Sequence, residues 1–475
     1  MRMGLLRLGP MREIERIWGT AVMFSGGIQL HKRWRRKRFG VGMLRKHDEY
    51  DLRRGDRPTG TIPLRRRDQH FSRKFDSTVY DFDFTSDFMD NTEKATGVLG
   101  QEITCSAAVS WGPGQPFSIQ QIRVQPPQKL EVRIRILYTS VCHTDLSAWQ
   151  GENESQRMYP RIFGHEACGV VECIGEGVED MEEGDHVLTI FNGECRECAY
   201  CKSESTNLCE KFRVDPLRNT MRNDGKTRFL TQEGKPIYHF LNTSTFSEYT
   251  VIDSACVVKI DPKAPLDKMT LLSCCVSTGY GAVTNDANIH QGSTVAVFGL
   301  GAVGLAVIQG AKTRGASRII GVDINADKDI KGKTMGMTDF INPRDLKTPA
   351  HEKIREITEG GVDFSFECAG NLDVLREAFL STHDGWGLTI VLGIHPTPRM
   401  LPLHPMELFD GRRITGSVFG GFKGKSQLPI FAHQCMHQDG VKLKEFITHE
   451  LPFNNIDQAF ELLLLGKSLR SLLHL

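Results

Sequence analysis

Three glycines in the second half of the chain constrain its fold more than any other feature. Gly299, Gly301 and Gly304 follow a β-forming apolar run at 293–298 and precede an apolar helical run at 305–315. The first glycine permits a tight turn, the second lets backbone approach a pyrophosphate, and the third allows the helix to pack closely on the strand. Later β-forming runs alternate with helical ones. The sequence therefore predicts an α/β fold with a doubly wound parallel sheet and a dinucleotide at the helix N-terminus.

The next strand of this region supplies a candidate for nucleotide choice. It spans 318–323 and ends in Asp323, 19 residues after Gly304. A carboxylate there would accept hydrogen bonds from the adenosine ribose hydroxyls, and its charge would repel the 2′-phosphate of NADP. The sequence therefore predicts NAD as the cofactor.

Four cysteines upstream of the glycines have metal-ligand spacing. Cys195, Cys198, Cys201 and Cys209 follow the pattern C-x2-C-x2-C-x7-C. Bacterial iron–sulfur ligands also begin C-x2-C-x2-C but continue x3-C-P, whereas here the gap is seven and Glu210 follows. Disulfides fit poorly, because thirteen cysteines is an odd number and no secretory peptide precedes them. A redox C-x-x-C pair would need only two of the four. Four thiolates in one loop indicate a structural zinc ion.

A second set of residues could hold a metal with one open position. Cys142 and His165 lie upstream of the cysteine loop, and Cys274 or Cys275 could complete the set. A catalytic zinc has three protein ligands and leaves one position for water or substrate. A closed metal site, an open one and a nucleotide turn in one chain predict a metal-dependent oxidoreductase.

The first hundred residues differ in composition from the rest. Residues 1–74 hold 20 Lys and Arg against 7 Asp and Glu, and all thirteen cysteines lie at or after Cys105. A basic tract of this kind could bind nucleic acid or anionic lipid, or act as a transit peptide. We interpret residues 1–100 as a basic, disordered extension. No apolar run reaches the roughly 18 residues that a membrane span needs, so a membrane is not the expected partner. The nucleotide turn and the second metal set argue against a nucleic acid as the partner.

Several longer runs carry a resemblance to a known family. From about residue 101 to 475 the chain resembles the zinc-containing medium-chain alcohol dehydrogenases, especially the plant alcohol dehydrogenase-like group, through the runs VCHTDL, PRIFGHEA, GECRECAYC, PIYHFLNTSTFSEYTV, LLSCCVSTGYGA, VAVFGLGAVGL, SVFGGFK and GKSLR. The resemblance implies a GroES-like β-rich catalytic domain, formed by 101–275 and 419–475, and a Rossmann coenzyme domain at 276–418. It also implies hydride transfer between a primary or secondary alcohol and NAD+, two zinc ions per subunit, a homodimer and a cytoplasmic location.

The resemblance also assigns roles to single residues. Cys142, His165 and Cys274 match the catalytic zinc ligands, and such a Cys₂His set is known from alcohol dehydrogenases. Asp145 matches the carboxylate that orients the zinc-binding histidine, Glu166 its acidic neighbour, and Thr144 the hydroxyl that passes on the alcohol proton. The matched cofactor contacts are His143, Val303, Lys328, Ile394, Phe419 and Arg470. The matched walls of an apolar substrate pocket are Phe191, Phe240, Leu392 and Val418, with Ile394 beside them.

The chain departs from the family pattern at two of these positions. Cys275 stands where the family motif S-C-G-x-S-T-G has glycine, so we expect its side chain to crowd the nicotinamide or to compete as a ligand. Ser147 stands where some relatives have the histidine that completes the proton relay, so water or another base is expected there. A catalytically weakened relative is therefore one alternative.

Two further alternatives concern the function itself. The first is the class III member of the family, a glutathione-dependent formaldehyde dehydrogenase. Arg213 matches an arginine that this class uses for its anionic substrate, and Glu152 and Glu154 lie near its acidic pair. The second is a zinc-ribbon nucleic-acid binder built from the cysteine loop and the basic extension. The nucleotide turn and the second metal set argue against it.

Overall fold

The structure is a computed structural model, and it describes residues 100–395, 399–437 and 441–475. The basic extension predicted for residues 1–100 lies, apart from its last residue, outside the described residues.

The region from residue 103 to 259 is rich in β-strand, as the sequence predicts. Its strands are β1 (Ile103–Ser110), β2 (Ser118–Val124), β3 (Glu131–Ser140), β4 (Arg161–Ile162), β5 (Glu166–Ile174), β6 (His186–Thr189), β7 (Phe229–Leu230), β8 (Pro236–Ile237), β9 (Tyr249–Asp253) and β10 (Val257–Lys259). One antiparallel sheet has the order β4-β1-β2-β7-β8. A second contains β10-β6-β5-β3, with β9 paired to β3. Val132, Ile134 and Ile136 of β3 follow the two-residue period of a strand, and all three are buried in the core.

The next six strands form the parallel sheet predicted from the glycine turn. They are β11 (Thr294–Phe298), β12 (Arg318–Val322), β13 (Asp339–Ile341), β14 (Phe364–Glu367), β15 (Leu388–Val391) and β16 (Arg413–Gly416). Their order is β13-β12-β11-β14-β15-β16, and every neighbouring pair is parallel. This is the 3-2-1-4-5-6 order of a dinucleotide-binding sheet, in which ligands bind where the strand order reverses.

The chain then returns to the β-rich part. Strands β17 (Ile447–Pro452) and β18 (Arg470–His474) are parallel to each other, and β18 pairs antiparallel with β3. The second sheet therefore contains strands from both ends of the described chain.

Helices connect and cover these sheets. They are α1 (His143–Gln150), α2 (Ala199–Lys202), α3 (Leu266–Met269), α4 (Cys275–Gly281), α5 (Ala302–Thr313), α6 (Lys328–Met335), α7 (Ala350–Ile357), α8 (Leu372–Leu380), α9 (Pro405–Phe409), α10 (Gly424–His437) and α11 (Ile456–Leu464). A π-helical turn at Ala282–Asp286 follows α4 directly. Among the helices of the described ranges, none is both long enough and apolar enough to cross a membrane.

Candidate active site and metal centres

The four predicted thiol ligands come together in one loop. The Sγ atoms of Cys195 and Cys201 lie 3.9 Å apart, as do those of Cys198 and Cys209, and all four lie within 4.8 Å of one another. A tetrahedron with metal–sulfur bonds of about 2.3 Å has sulfur–sulfur edges of roughly 3.8 Å. The donor set and its dimensions therefore fit a tetrahedral zinc ion.

The local backbone prepares this loop for a cation. Cys198 is the N-cap of the short helix α2, and its Sγ accepts a hydrogen bond from the backbone N–H of Cys201 at 3.4 Å. Desolvation alone would raise the pKa of Cys198, but N–H donors of Cys201 and Glu210 bring that pKa down to about 6. A thiolate at neutral pH is the form that binds metal.

Contacts that sequence reasoning missed tie this loop to the segment after β16. The Nδ2 of Asn207 donates to the carbonyl oxygens of Val418 (2.7 Å) and Phe422 (3.2 Å). The Nζ of Lys423 donates to the carbonyl of Cys201 at 2.7 Å. The partners lie more than 200 residues apart in sequence, so no local pattern could have indicated them.

The second predicted ligand set also assembles. Cys142 precedes α1 at the end of β3, His165 precedes β5, and Cys274 precedes α4. Their ligand atoms lie within 4.8 Å of one another, together with an oxygen of Glu166, and all four residues are buried. Two ligands of one zinc ion lie at most roughly 4.6 Å apart, so the cluster has the dimensions of a metal site.

Asp145 orients the histidine of this cluster. Its Oδ1 lies 2.9 Å from the Nδ1 of His165 and accepts the N–H of Gly164 at 3.1 Å, while its Oδ2 accepts the N–H of Cys142 at 3.1 Å. Because Nδ1 then carries the proton, Nε2 is left with the lone pair that a metal needs. One carboxylate thus fixes the tautomer of one ligand and the backbone of another.

Arg470 lies against the cluster. Its Nε donates to both carboxylate oxygens of Glu166, at 3.0 and 3.2 Å, and its Nη2 lies 3.3 Å from the Sγ of Cys142. The neighbouring Cys274 thiol and the charge of Arg470, opposed by burial, hold the pKa of Cys142 well below its usual range. The guanidinium therefore favours the thiolate that would bind zinc. Its predicted contact with the cofactor pyrophosphate stays a prediction.

Cys275 occupies a different environment from the one expected. Its side chain is fully buried, and its Sγ donates to the Oε1 of Glu166 at 3.1 Å. It is not one of the residues whose ligand atoms cluster with Cys142, and burial raises its pKa well above the ordinary value, which keeps the thiol protonated. The thiol therefore neither projects into an open cofactor cleft nor competes as a ligand. The first turn of α4 directs this side chain to Glu166, and its effect on the nicotinamide stays a prediction.

The glycine turn has the backbone that a bound pyrophosphate requires. Gly299 adopts φ +91°, and a Cβ on Gly304 would lie 2.0 Å from the carbonyl oxygen of Gly299. A Cβ on Gly301 would meet nothing within 4 Å, so the turn is open on that side. Asp323 accepts the N–H of Leu300 at 2.8 Å through Oδ2, which places the carboxylate beside this turn at the end of β12. The arrangement fits a dinucleotide.

Aromatic rings form one wall beside the second metal set. The ring centroid of Phe191 lies 5.6 Å from that of His165 and 5.3 Å from that of Phe419, and the ring of Phe240 lies 6.3 Å from that of His165. Phe419 adopts φ +54° at the start of a single helical turn.

The remaining predicted residues vary in exposure. The following are partly buried: Thr144, Ser147, Val303, Lys328, Leu392 and Val418. The following are exposed: His143, Glu152, Glu154, Arg213 and Ile394. The Oγ1 of Thr144 lies 3.9 Å from the Sγ of Cys142, so this hydroxyl is next to the metal set.

Comparisons with known proteins agree with this architecture. A family model described as "Alcohol dehydrogenase GroES-like domain" matches residues 128–262, and one described as "Zinc-binding dehydrogenase" matches residues 302–435. The GroES-like and Rossmann fold class expected from the sequence is thereby confirmed.

Two curated relatives and one solved structure match this chain over nearly the whole of their own length. "Alcohol dehydrogenase-like 3" of Arabidopsis thaliana is 66% identical over 384 residues, which cover 79% of this chain and 97% of that protein. "Alcohol dehydrogenase 2" of Zea mays is 50% identical over 376 residues, covering 79% and 98%. A zinc-binding alcohol dehydrogenase domain protein from Burkholderia ambifaria has a solved structure that matches with a TM-score of 0.73 at 30% identity, covering 79% and 100%. The chain therefore belongs to the zinc-containing alcohol dehydrogenases of the medium-chain family.

Proposed function

We propose that the chain is a zinc- and NAD-dependent alcohol dehydrogenase that interconverts a primary or secondary alcohol and its aldehyde or ketone. The observation that carries this proposal is the buried Cys142, His165 and Cys274 set beside an aromatic wall, in a chain with a dinucleotide turn. A buried apolar pocket with a few polar groups suits a small neutral substrate.

Each catalytic residue has a defined task in this reaction. Zinc at Cys142, His165 and Cys274 would act as a Lewis acid that lowers the pKa of the alcohol hydroxyl, and NAD+ would accept the hydride. Asp145 keeps His165 in the ligand tautomer. The hydroxyl of Thr144 takes the alcohol proton and passes it toward the cofactor ribose.

The surrounding residues bind and orient rather than react. Ser147 is not a base, so water completes the relay to solvent. Phe191, Phe240, Leu392 and Val418 exclude water and charge from the reacting atoms. The cofactor would lie along His143, the glycine turn, Val303, Asp323, Lys328, Ile394, Phe419 and Arg470. Asp323 would select NAD over NADP, and the four-cysteine loop would hold a second, structural zinc.

The organisation of the chain is part of the proposal. A catalytic domain would comprise 101–275 and 419–475, and the coenzyme domain 276–418. We propose a homodimer in the cytoplasm. The exposed edge strand β16 and the exposed Met406 and Phe409 of α9 support the dimer, because unpaired strand edges and apolar side chains favour pairing.

A substrate panel tests the proposed function directly. Initial rates are measured with purified protein, a series of primary and secondary alcohols, S-(hydroxymethyl)glutathione, and either NAD+ or NADP+. We expect turnover of neutral alcohols with NAD+ and none in a His165→Gln control of equal thermal stability. The relatives carry alcohol dehydrogenase names, which does not favour the class III alternative. Preference for the glutathione adduct, or no turnover with any neutral alcohol, would contradict the proposal.

A further inference from the structure

Glu166 lies close enough to the second metal set to occupy the position that an alcohol needs. Its carboxylate is fully buried, and one of its oxygens lies within 4.8 Å of the ligand atoms of Cys142, His165 and Cys274. Carboxylate oxygens bind zinc at about 2.0–2.2 Å. A small movement of this side chain would therefore close the open coordination position.

Two donors hold this carboxylate where it is. Arg470 binds both of its oxygens through Nε, and the Cys275 thiol donates to Oε1 at 3.1 Å. The arginine is matched in the family, whereas the thiol is not, because glycine stands at position 275 in the family motif and has no side-chain donor. The Cys275 bond is thus a second side-chain restraint on Glu166, in addition to that of Arg470.

We propose that Cys275 is a positioning residue whose thiol restrains Glu166 and so keeps the open coordination position of the catalytic zinc available to small ligands. The inference rests on the proposed function, since it assumes a metal at Cys142, His165 and Cys274. The Sγ of Cys275 is not among the clustered ligand atoms of the second metal set. It acts only through Glu166, from the first turn of α4.

Cobalt(II) exchanged into the catalytic position gives a readout that does not depend on turnover. Imidazole, a small neutral metal ligand, is titrated into the cobalt enzyme without cofactor while the visible absorption is recorded. The four-cysteine site is closed and contributes a constant background. The proteins compared are wild type, Cys275→Ala, Cys275→Ser and the control Cys105→Ala. The control removes a buried thiol elsewhere in the molecule, since the Sγ of Cys105 lies 3.6 Å from the Oγ of Ser247.

We expect Cys275→Ala to weaken imidazole binding about five-fold, which is about 1 kcal/mol. It should also shift the ligand-free cobalt spectrum, because Glu166 approaches the metal. Cys275→Ser keeps a donor and should restore wild-type binding, and Cys105→Ala should bind as wild type does. In steady-state kinetics with zinc, Cys275→Ala should raise the KM for alcohol and change kcat little.

The possible failures are distinguishable. If the wild-type cobalt spectrum does not respond to imidazole at all, the hypothesis of an open coordination position is refuted, and the proposed function is refuted with it. If wild type responds and Cys275→Ala binds imidazole equally well, the role of Cys275 is refuted while the proposed function stands. If Cys275→Ser is as defective as Cys275→Ala, hydrogen bonding is not the cause and the inference is likewise refuted.

Discussion

Asp323 performs two tasks at the nucleotide turn, and they can be separated. Its Oδ2 accepts the N–H of Leu300 and its Oδ1 the N–H of Asn325, both at 2.8 Å, so the carboxylate holds backbone as well as carrying charge. Asp323→Ser keeps a small acceptor and removes the charge that opposes a 2′-phosphate. We expect the ratio of kcat/KM for NADP+ to that for NAD+ to rise about ten-fold, which corresponds to about 1.4 kcal/mol. The exposed Asp327 offers the control Asp327→Ser, and an unchanged ratio in Asp323→Ser would refute the assignment.

The buried His239 should make the protein sensitive to acid. Its Nε2 accepts the N–H of Arg228 at 3.1 Å, and burial, reinforced by the charges of Arg228 and Arg161, lowers its pKa from 6.5 to about 3. Below pH 6.5 the unfolded chain binds a proton at this histidine and the folded chain does not, so stability falls as pH decreases toward 3.

His239→Gln tests the contribution of this histidine to the pH dependence of stability. The side-chain oxygen of the glutamine can still accept the N–H of Arg228, but it does not titrate. Between pH 7 and pH 5 the variant should lose about 2 kcal/mol less unfolding free energy than wild type does. Chemical denaturation at both pH values measures the difference. The matched control is His290→Gln, at an exposed histidine, and equal losses in wild type and His239→Gln would contradict the prediction.

Residue roles that depend on spacing within a short run could be predicted from the sequence, and roles that depend on tertiary contact could not. The four cysteines of the loop lie within fifteen residues, so their spacing alone predicted a common site. Spacing alone does not distinguish Cys274 from Cys275 as the third ligand of the second metal set. It depends on the turn into α4, which sends one thiol to the metal set and the other to Glu166, 109 residues away in sequence.

At the scale of elements, the two metal sites differ in what surrounds them. The four-cysteine loop lies around the short helix α2 and supports the segment after β16 through Asn207 and Lys423. The Cys142 and His165 set lies where β3 ends and β5 begins, beside the ring of Phe191. Loss of the metal from the four-cysteine loop should therefore destabilise the fold. Loss of the metal from the Cys142 and His165 set should instead abolish turnover.

Paired substitutions test this difference. Cys198→Ser should lower the zinc content from two to one per chain and reduce the melting temperature by several degrees, because a metal that binds only the folded state stabilises it. His165→Gln should abolish turnover and leave the melting temperature near that of wild type. Metal analysis, thermal melts and initial rates are measured on the same preparations. A single zinc ion in fresh, active wild-type protein would contradict the prediction.

The start of the parallel sheet could be predicted because its signals are local, whereas its strand order and its connections to the rest of the chain could not. The strand, glycine turn and helix at β11 and α5 follow from apolar runs and three glycines. The π-helical turn after α4 and the hydrogen bonds of Asn207 to Val418 and Phe422 arise only when distant segments meet. Sequence periodicity carries no information on such contacts.

At the scale of the whole molecule, the family resemblance begins at about residue 101, and the basic region before it has a different charge and no cysteine. A chain that begins at residue 101 should therefore fold and keep the turnover number of the full chain. Yield, melting temperature and kcat are measured for both. A large loss of soluble, active protein from the shorter chain would mean that residues 1–100 contribute to the fold.

The proposed homodimer has a specific candidate surface in the parallel sheet. Strand β16 is the last strand of that sheet, and three of its four residues, Arg413, Thr415 and Gly416, are exposed. On α9 just before it, the large apolar side chains of Phe409 and Met406 are 78% and 54% exposed, and neighbouring exposed apolar side chains can mark an interaction surface. Pairing of two β16 edges would satisfy their free backbone groups and cover these side chains.

The double variant Met406→Asp/Phe409→Asp adds repulsion and removes apolar area at this surface without touching either metal set. We expect sedimentation velocity to show a dimer for wild type and a monomer for the variant at micromolar concentration. The control is Ile330→Asp, at an equally exposed apolar residue (78%) on α6. Because like charges facing each other across an interface are destabilising, a variant that remains dimeric would place the interface elsewhere. A wild-type monomer under the same conditions would refute the dimer itself.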